Sequence, residues 1–394
     1  VKALVDIINF NADASCLSAG SWLKAMQGGE ESQFARWLKL YVRSRKRAVL
    51  GLPGATIADL AIHNPEAIKL INVHPDIFEL IVRPFAHDIA LLRLGDGFRL
   101  NLEYGRRIIE REFTVVKKYF LPPEFMLTNE QLALLSTEGY AGVFIKPDRF
   151  SEEIARRVPR APYRARGLFG SELLCIPFSD NLTEAYLKSL HMYDENLWSS
   201  AVEQDPAEVS YVWRDGESSF LLPQGLEREE YWLTHERKSI KRLTIEEAKP
   251  TAVDASKNIA EPVLWYPVHS FTAWMREFRM LGFLNRISKV ESGIGSLTPE
   301  SLYRWLLAIN SDILSAVEKN SPVVPIRTAG PGSEIVQFEI RRSERGMEGE
   351  EYLALLEVEN RDGAIAGADV PHLVKWRGRM EYLRRLDREA PSVG

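Results

Sequence analysis

Glu124 and Asp215 are the residues whose type and setting could do chemistry. Glu124 follows the apolar run Tyr119-Phe120-Leu121 and two prolines; Asp215 closes the run Ser210-Tyr211-Val212-Trp213-Arg214. Each stands where a strand is expected to end, at the carboxyl rim where α/β folds place catalysis. Two carboxylates on one rim can cleave a glycosidic bond. One attacks the anomeric carbon; the other gives a proton to the leaving oxygen and later takes one back. A retaining reaction needs them about 5–5.5 Å apart. Spacing alone does not single them out, because Asp13, Asp88, Asp148, Asp180 and Glu217 stand at similar positions. The competing reading makes Glu124 a solvated loop carboxylate and Asp215 a turn residue before Gly216.

The elements that must position this pair alternate in type. Apolar runs at Leu4–Phe10, Ala48–Leu52, Phe78–Val82, Val115–Leu121, Gly142–Ile145, Leu173–Ile176 and Val209–Trp213 read as strands. Their near-continuous apolar character is that of strands buried on both faces. Between them, Ser21–Tyr41, Ile57–Leu70 (broken at Pro65), Asn101–Phe113, Glu130–Glu138 and Leu182–Leu190 read as helices, with Leu91–Gly97 as a loop. In Glu130–Glu138, Leu132, Leu135 and Leu134 face inward, and Gly139 supplies the stop. About seven strands alternating with helices over about 220 residues predict a parallel barrel or sheet. The first strand ends in Asn9, Asn11 and Asp13, and the third leads into His87 and Asp88.

Pro250–Asn258 reads as a linker into a helical region rich in aromatics, including Trp265 and Trp274. After Pro322 the character changes. Ile335–Ile340 and Tyr352–Val358 read as antiparallel strands around a turn, and Leu373–Leu386 as a basic terminal helix. The expected units are a barrel over 1–250, a helical region over 251–321 and a small β-containing tail over 322–394. Exposed strand edges in such a tail would allow a homodimer.

Composition narrows the partners. The chain has 394 residues, 45% hydrophobic and 27% charged, the balance of a globular protein. A net charge of −5 gives no electrostatic case for nucleic acid, so Arg43–Lys46 reads as a solvated helix end. No run of about 18 apolar residues predicts a membrane span. The opening VKALVDIINF reads as a strand and not as a leader. Two cysteines, Cys16 and Cys175, make neither a disulfide framework nor a zinc knuckle, and point to a reducing, cytoplasmic setting. No Gly-rich phosphate loop appears, and no cofactor is expected. Nine tryptophans and thirteen tyrosines serve a core, and their faces also suit sugar rings.

The local words carry a resemblance. LPPEFMLTNEQLALLSTEGYAGVFI (121–145) resembles the nucleophile segment of glycoside hydrolase family 57. SYVWRDGESSF (210–220) is similar to its acid/base segment, and FELIVRPFAHDIALL (78–92) to a strand that contributes to its substrate site. RWLLAINSDIL (304–314) resembles its C-terminal helical segment with a Ser-Asp pair, and the order of the segments agrees. The resemblance implies a distorted (β/α)7 barrel with a helical region over its mouth, acting on α-glucans by retaining hydrolysis, branching or transfer without a metal. It makes Glu124 the nucleophile and Asp215 the acid/base. His87, Trp213, Trp265, Trp274 and Asp312 would lie near the sugar.

The first strand departs from the pattern. The family has a His-rich segment there; this chain has Asn9-Phe10-Asn11-Ala12-Asp13, so Asn11 and Asp13 would take over contacts to hydroxyls. Two alternatives stay open: a carbohydrate-binding barrel that has lost catalysis, and a metal-dependent sugar deacetylase. The second needs clustered ligands, and the seven histidines show no His-x-x-His or His-x-x-x-His pair.

Overall fold

The computed structural model describes residues 1–12, 25–93, 95–147, 159–166, 170–192, 194–221, 224–252, 278–309, 323–327, 336–340 and 371–389. The seven apolar runs are strands: β1 (Lys2–Asn9), β2 (Ala48–Gly51), β3 (Phe78–Val82), β4 (Val116–Phe120), β5 (Gly142–Ile145), β7 (Glu172–Pro177) and β8 (Val209–Asp215). The sheet also holds β6 (Tyr163–Arg166) and β9 (Ile240–Arg242), which the apolar pattern does not announce. Strand order is β6-β7-β5-β4-β3-β2-β1-β8, with β9 beside β1. Only β6 runs antiparallel to its neighbour in this sheet.

The sheet curls toward a barrel whose seam lies between its β6–β7 end and β8. No ladder joins those strands among the described residues. Instead Ser179 N, just past β7, donates to Tyr211 O on β8 at 2.9 Å. Thr183 Oγ1 donates to Trp213 O at 2.8 Å. Inside, Phe144 of β5 stacks on Phe178 and meets Tyr211 of β8, with centroids 5.3 and 6.4 Å apart. The amino end is plugged. Glu79 accepts from Ile245 N at 2.6 Å and Glu246 N at 3.4 Å, while Leu243 N donates to Leu4 O at 2.7 Å. Burial raises the Glu79 carboxyl above its usual range. The carboxyl rim is left as the working end.

Helices cover the outside. Gln33–Ser44 begins after Gly28-Gly29, with Ser32 Oγ accepting from Ala35 N. Pro65 divides the next stretch into Gly54–His63 and Pro65–Val73, because a proline without an N–H starts a helix well and continues one badly. Asn129–Thr137 carries a full capping box between Thr128 and Gln131, and Gly139 follows at φ 74°. Leu132 and Leu135 are buried there, and Leu134 is half-buried. The expected loop Leu91–Gly97 is corrected at its end: a helix runs from Gly95 to Glu112. A Cβ on Gly97 would strike the Glu291 carboxylate, so glycine here serves packing and not a turn.

The later chain contributes helices Phe278–Glu291, Pro299–Ala308 and Pro371–Arg388. Strand Val336–Ile340 (β11) is antiparallel to Val323–Arg327 (β10), a partner not anticipated; the expected partner 352–358 lies outside the described residues. The terminal helix docks on Gly54–His63 through Arg379, whose Nε and Nη2 meet Asp59 at 2.8 and 2.6 Å with both side chains buried.

Candidate active site

At the end of β4, Pro122 and Pro123 cannot donate to a ladder, so the chain leaves the sheet. It then makes an unusual turn: Glu124 has φ 52°, ψ 6°, and Phe125 has φ 55°. Two successive side-chain-bearing residues in the left-handed region are strained, each by about 1–3 kcal/mol. Among the other described non-glycine residues at positive φ, Arg45 and Lys249 cap helix C-termini, where that conformation is ordinary, and Gln224 stands singly before helix Gly225–His235. Packing holds the turn. The buried Phe125 ring meets Phe178 and Trp213 edge-on, at 5.6 and 5.1 Å.

From this turn Glu124 reaches the loop after β3. Its Oε1 lies 3.9 Å from His87 Nδ1, with side-chain exposures of 21% and 10%. His87 is set by the loop after β3. There Phe85 N donates to Asn101 O and Ala86 N to Asn101 Oδ1, both at 2.8 Å. A Cβ on Gly105 would collide with the 83–85 backbone, so this glycine lets the helix lie directly on that loop. Asp88 pairs with Arg93, whose Nε meets Asp88 Oδ2 at 2.9 Å and whose Nη1 meets Glu291 Oε2 at 3.3 Å. Burial pushes the Asp88 carboxyl up to about 7 against the opposing pull of Arg93; Glu291 pushes it further and His87 opposes.

The second carboxylate stands at the end of β8. Register pairs Asn9 with Asp215, and Asn9 Nδ2 donates to Asp215 Oδ1 at 2.9 Å. The pairing continues past the strands, with Gly216 N on Asn9 O at 2.6 Å and Asn11 N donating to Glu217 Oε1. Ala12 N then meets Thr56 Oγ1 at 3.0 Å. Asn11 and Glu217 are buried; Glu217 holds the chain that leaves β1. Trp213 is half-buried, with Lys146 Nζ 5.8 Å over its ring and Asp180 Oδ1 3.9 Å from the same ammonium.

The structure therefore brings Glu124, His87, Trp213 and Asp215 to one rim, with Asn11 buried just past the end of β1. Asp13, Trp265, Trp274 and Asp312 lie outside the described residues. Asn9, Phe125 and Lys146 join the rim although their types alone do not mark them. Asn9 already stood among the polar residues that end the first strand, and Lys146 follows a strand in the same way; Phe125 had no such signal. A separate cleft on the helix layer, lined by Glu30, Arg36, Lys39, Arg43 and Glu230, contains none of the rim residues. Two of its cations are engaged, Lys39 with Glu30 at 2.8 Å and Arg43 with Glu230 at 3.2 Å.

Comparison with known proteins places the fold. No family model and no curated protein sequence matches the chain. Solved structures do. A GH57-type branching enzyme from Pyrococcus horikoshii superposes with TM-score 0.63 at 11% identity, over 100% of this chain and 98% of that one. The 4-alpha-glucanotransferase of Thermococcus litoralis gives 0.57 at 13% identity, over 86% of this chain and 63% of that one; this chain thus spans less than two thirds of its length. The alpha-amylase AmyC of Thermotoga maritima gives 0.51 at 11% identity, over 99% and 98%. The chain resembles GH57-type enzymes in fold, an α/β barrel of mainly parallel strands.

Proposed function

We propose that the protein is a retaining glycoside hydrolase or transglycosylase acting on an α-linked glucan or a related oligosaccharide. Glu124 is the nucleophile and Asp215 the acid/base. The observation that carries this reading is the left-handed backbone at Glu124 and Phe125. Strain of that kind persists where surrounding packing over-determines it, and it clusters at reactive groups. The activities named for the structural neighbours, branching, glucan transfer and α-amylase, support the substrate class.

In the first step a Glu124 oxygen attacks the anomeric carbon while its bond to the leaving oxygen breaks, and Asp215 delivers a proton to that oxygen. In the second, Asp215 takes a proton from water or from a sugar hydroxyl. The oxygen so activated forms the new bond as the Glu124 ester bond breaks. His87 stands beside Glu124 Oε1, at 3.9 Å. Asn9 fixes Asp215 through Oδ1. Trp213 offers a ring for a sugar face to stack on.

A second reading, a carbohydrate-binding barrel without catalysis, is favoured by one feature. Asn9 and the Asn11 backbone bond inward to Asp215 and Glu217, so the altered first strand occupies the carboxylates across from Glu124. One comparison separates the two: release and transfer of sugar from a panel of α-glucans by the wild type and by Glu124→Ala. The first reading expects a loss of about a thousandfold or more on substitution. Binding by calorimetry without turnover in the wild type would support the second.

A further inference from the structure

We propose that Arg214, held by Asp6 and Glu229, is the positioning residue for Asp215; this rests on the reading of Asp215 as the acid/base. β8 is the strand at the barrel seam. β1 pairs with it from Ala3↔Val209 to Asn9↔Asp215, while its other side receives only the bonds to Tyr211 O and Trp213 O among the described residues. A strand with a full ladder on one edge needs another device to fix its end.

That device lies behind the sheet. Successive strand side chains point to opposite faces, so Trp213 and Asp215 face the barrel interior and Arg214 faces the helices. Its guanidinium is wholly buried. Nε meets Asp6 Oδ1 at 2.9 Å, Nη2 meets Asp6 Oδ2 at 3.0 Å, and Nη1 meets Glu229 Oε1 at 3.0 Å. Tyr186 and Trp232 flank it at 4.6 and 5.2 Å. Glu229 Oε2 also accepts from Ser219 Oγ at 2.9 Å. One carboxylate on helix Gly225–His235 therefore ties down the residue before Asp215 and the residue four places after it. Asp6 ties the same arginine to β1, the strand that carries Asn9.

Geometry, more than stability, explains such a cluster. A buried ion pair gains little over an apolar replacement, whereas the planar fork of an arginine fixes direction. The cluster supplies its own control. Arg242 meets Glu236 Oε1 at 3.0 Å, also meets Asp6, and stacks 4.6 Å from Trp232. It pairs opposite Leu4, however, about five residues or 16 Å along β1 from Asn9.

The test compares Arg214→Met with Arg242→Met in the full chain, by crystal structure, thermal melting and kinetics on α-glucans. Arg214→Met is expected to open the Asn9 Nδ2–Asp215 Oδ1 contact beyond about 3.5 Å. It should lower kcat about ten- to a hundredfold with KM within about twofold, and displace the pH–rate limb that reports the acid/base. Arg242→Met should lose comparable thermal stability and keep both the contact and kcat. Ser219→Ala, a smaller change, should move kcat in the same direction as Arg214→Met and gives a readout if that variant does not fold. Retention of the contact and kcat in Arg214→Met, or an equal loss in Arg242→Met, overturns the proposal. A wild type that turns over no glucan sinks the functional reading alone, because the Asn9–Asp215 distance still decides the positioning.

Discussion

Glu124 Oε1 and His87 Nδ1 lie 3.9 Å apart across the ends of β4 and β3. The two residues come from separate loops, one set by strained backbone and the other by Asn101. Removing the imidazole should leave the fold intact and free the carboxylate to rotate. His87→Ala is expected to lower kcat/KM on α-glucans by about ten- to a hundredfold. A value within twofold of wild type, at unchanged thermal stability, would remove His87 from the site.

The backbone at Glu124 makes a separate statement about stability. Glycine takes φ near 52° without a Cβ clash, whereas alanine keeps it. Glu124→Gly should therefore be more stable than Glu124→Ala by about 1 kcal/mol, with both inactive. Urea unfolding of the two variants checks this. Equal midpoints would mean that position 124 is not left-handed in solution.

Asp88 should leave a mark on the pH dependence of stability. Its carboxyl titrates near 3.8 when exposed and near 7 when folded. The folded state then binds the extra proton, so this group's contribution is fully present below about pH 4 and is lost as pH rises to about 7. Arg93, Glu291 and His87 face it and share the effect. Asp88→Asn should flatten the fall in melting temperature between about pH 4 and 7. An unchanged slope would place the titration elsewhere.

The Asp59–Arg379 pair joins the terminal helix to the barrel's helix layer with both charges buried. Removing one partner strands the other, which costs about 3–5 kcal/mol. Asp59→Ala should lower denaturant stability by that amount. A loss under about 1 kcal/mol would mean that the helix is held by its apolar contacts alone.

Much of this was legible in the chain. Seven of the eight parallel strands stood out as largely apolar runs, as in Phe78–Val82, which is buried throughout; the short β9 did not. Helix Gly225–His235 was not visible, because it buries Glu229 beside Trp232 and so breaks the apolar period. Antiparallel β6, reading Tyr-Arg-Ala-Arg, lacks an apolar run altogether. Glu124 and Asp215 could be named from their places after strands. The Asn9–Asp215 bond could not, since it depends on register between strands some two hundred residues apart. Nor could the left-handed turn, which is imposed by the packing of Phe125 and contradicts local preference.

The proposed reaction turns on covalent attack by Glu124 on the anomeric carbon. Its most direct test is mass spectrometry of the protein after incubation with a fluorinated α-glucosyl fluoride, which slows breakdown of a covalent intermediate. One glycosyl group should be added, located by peptide mapping on Glu124 and absent from Glu124→Gln. A turning-over enzyme whose label sits on another carboxylate, or that carries none, would contradict attack by Glu124.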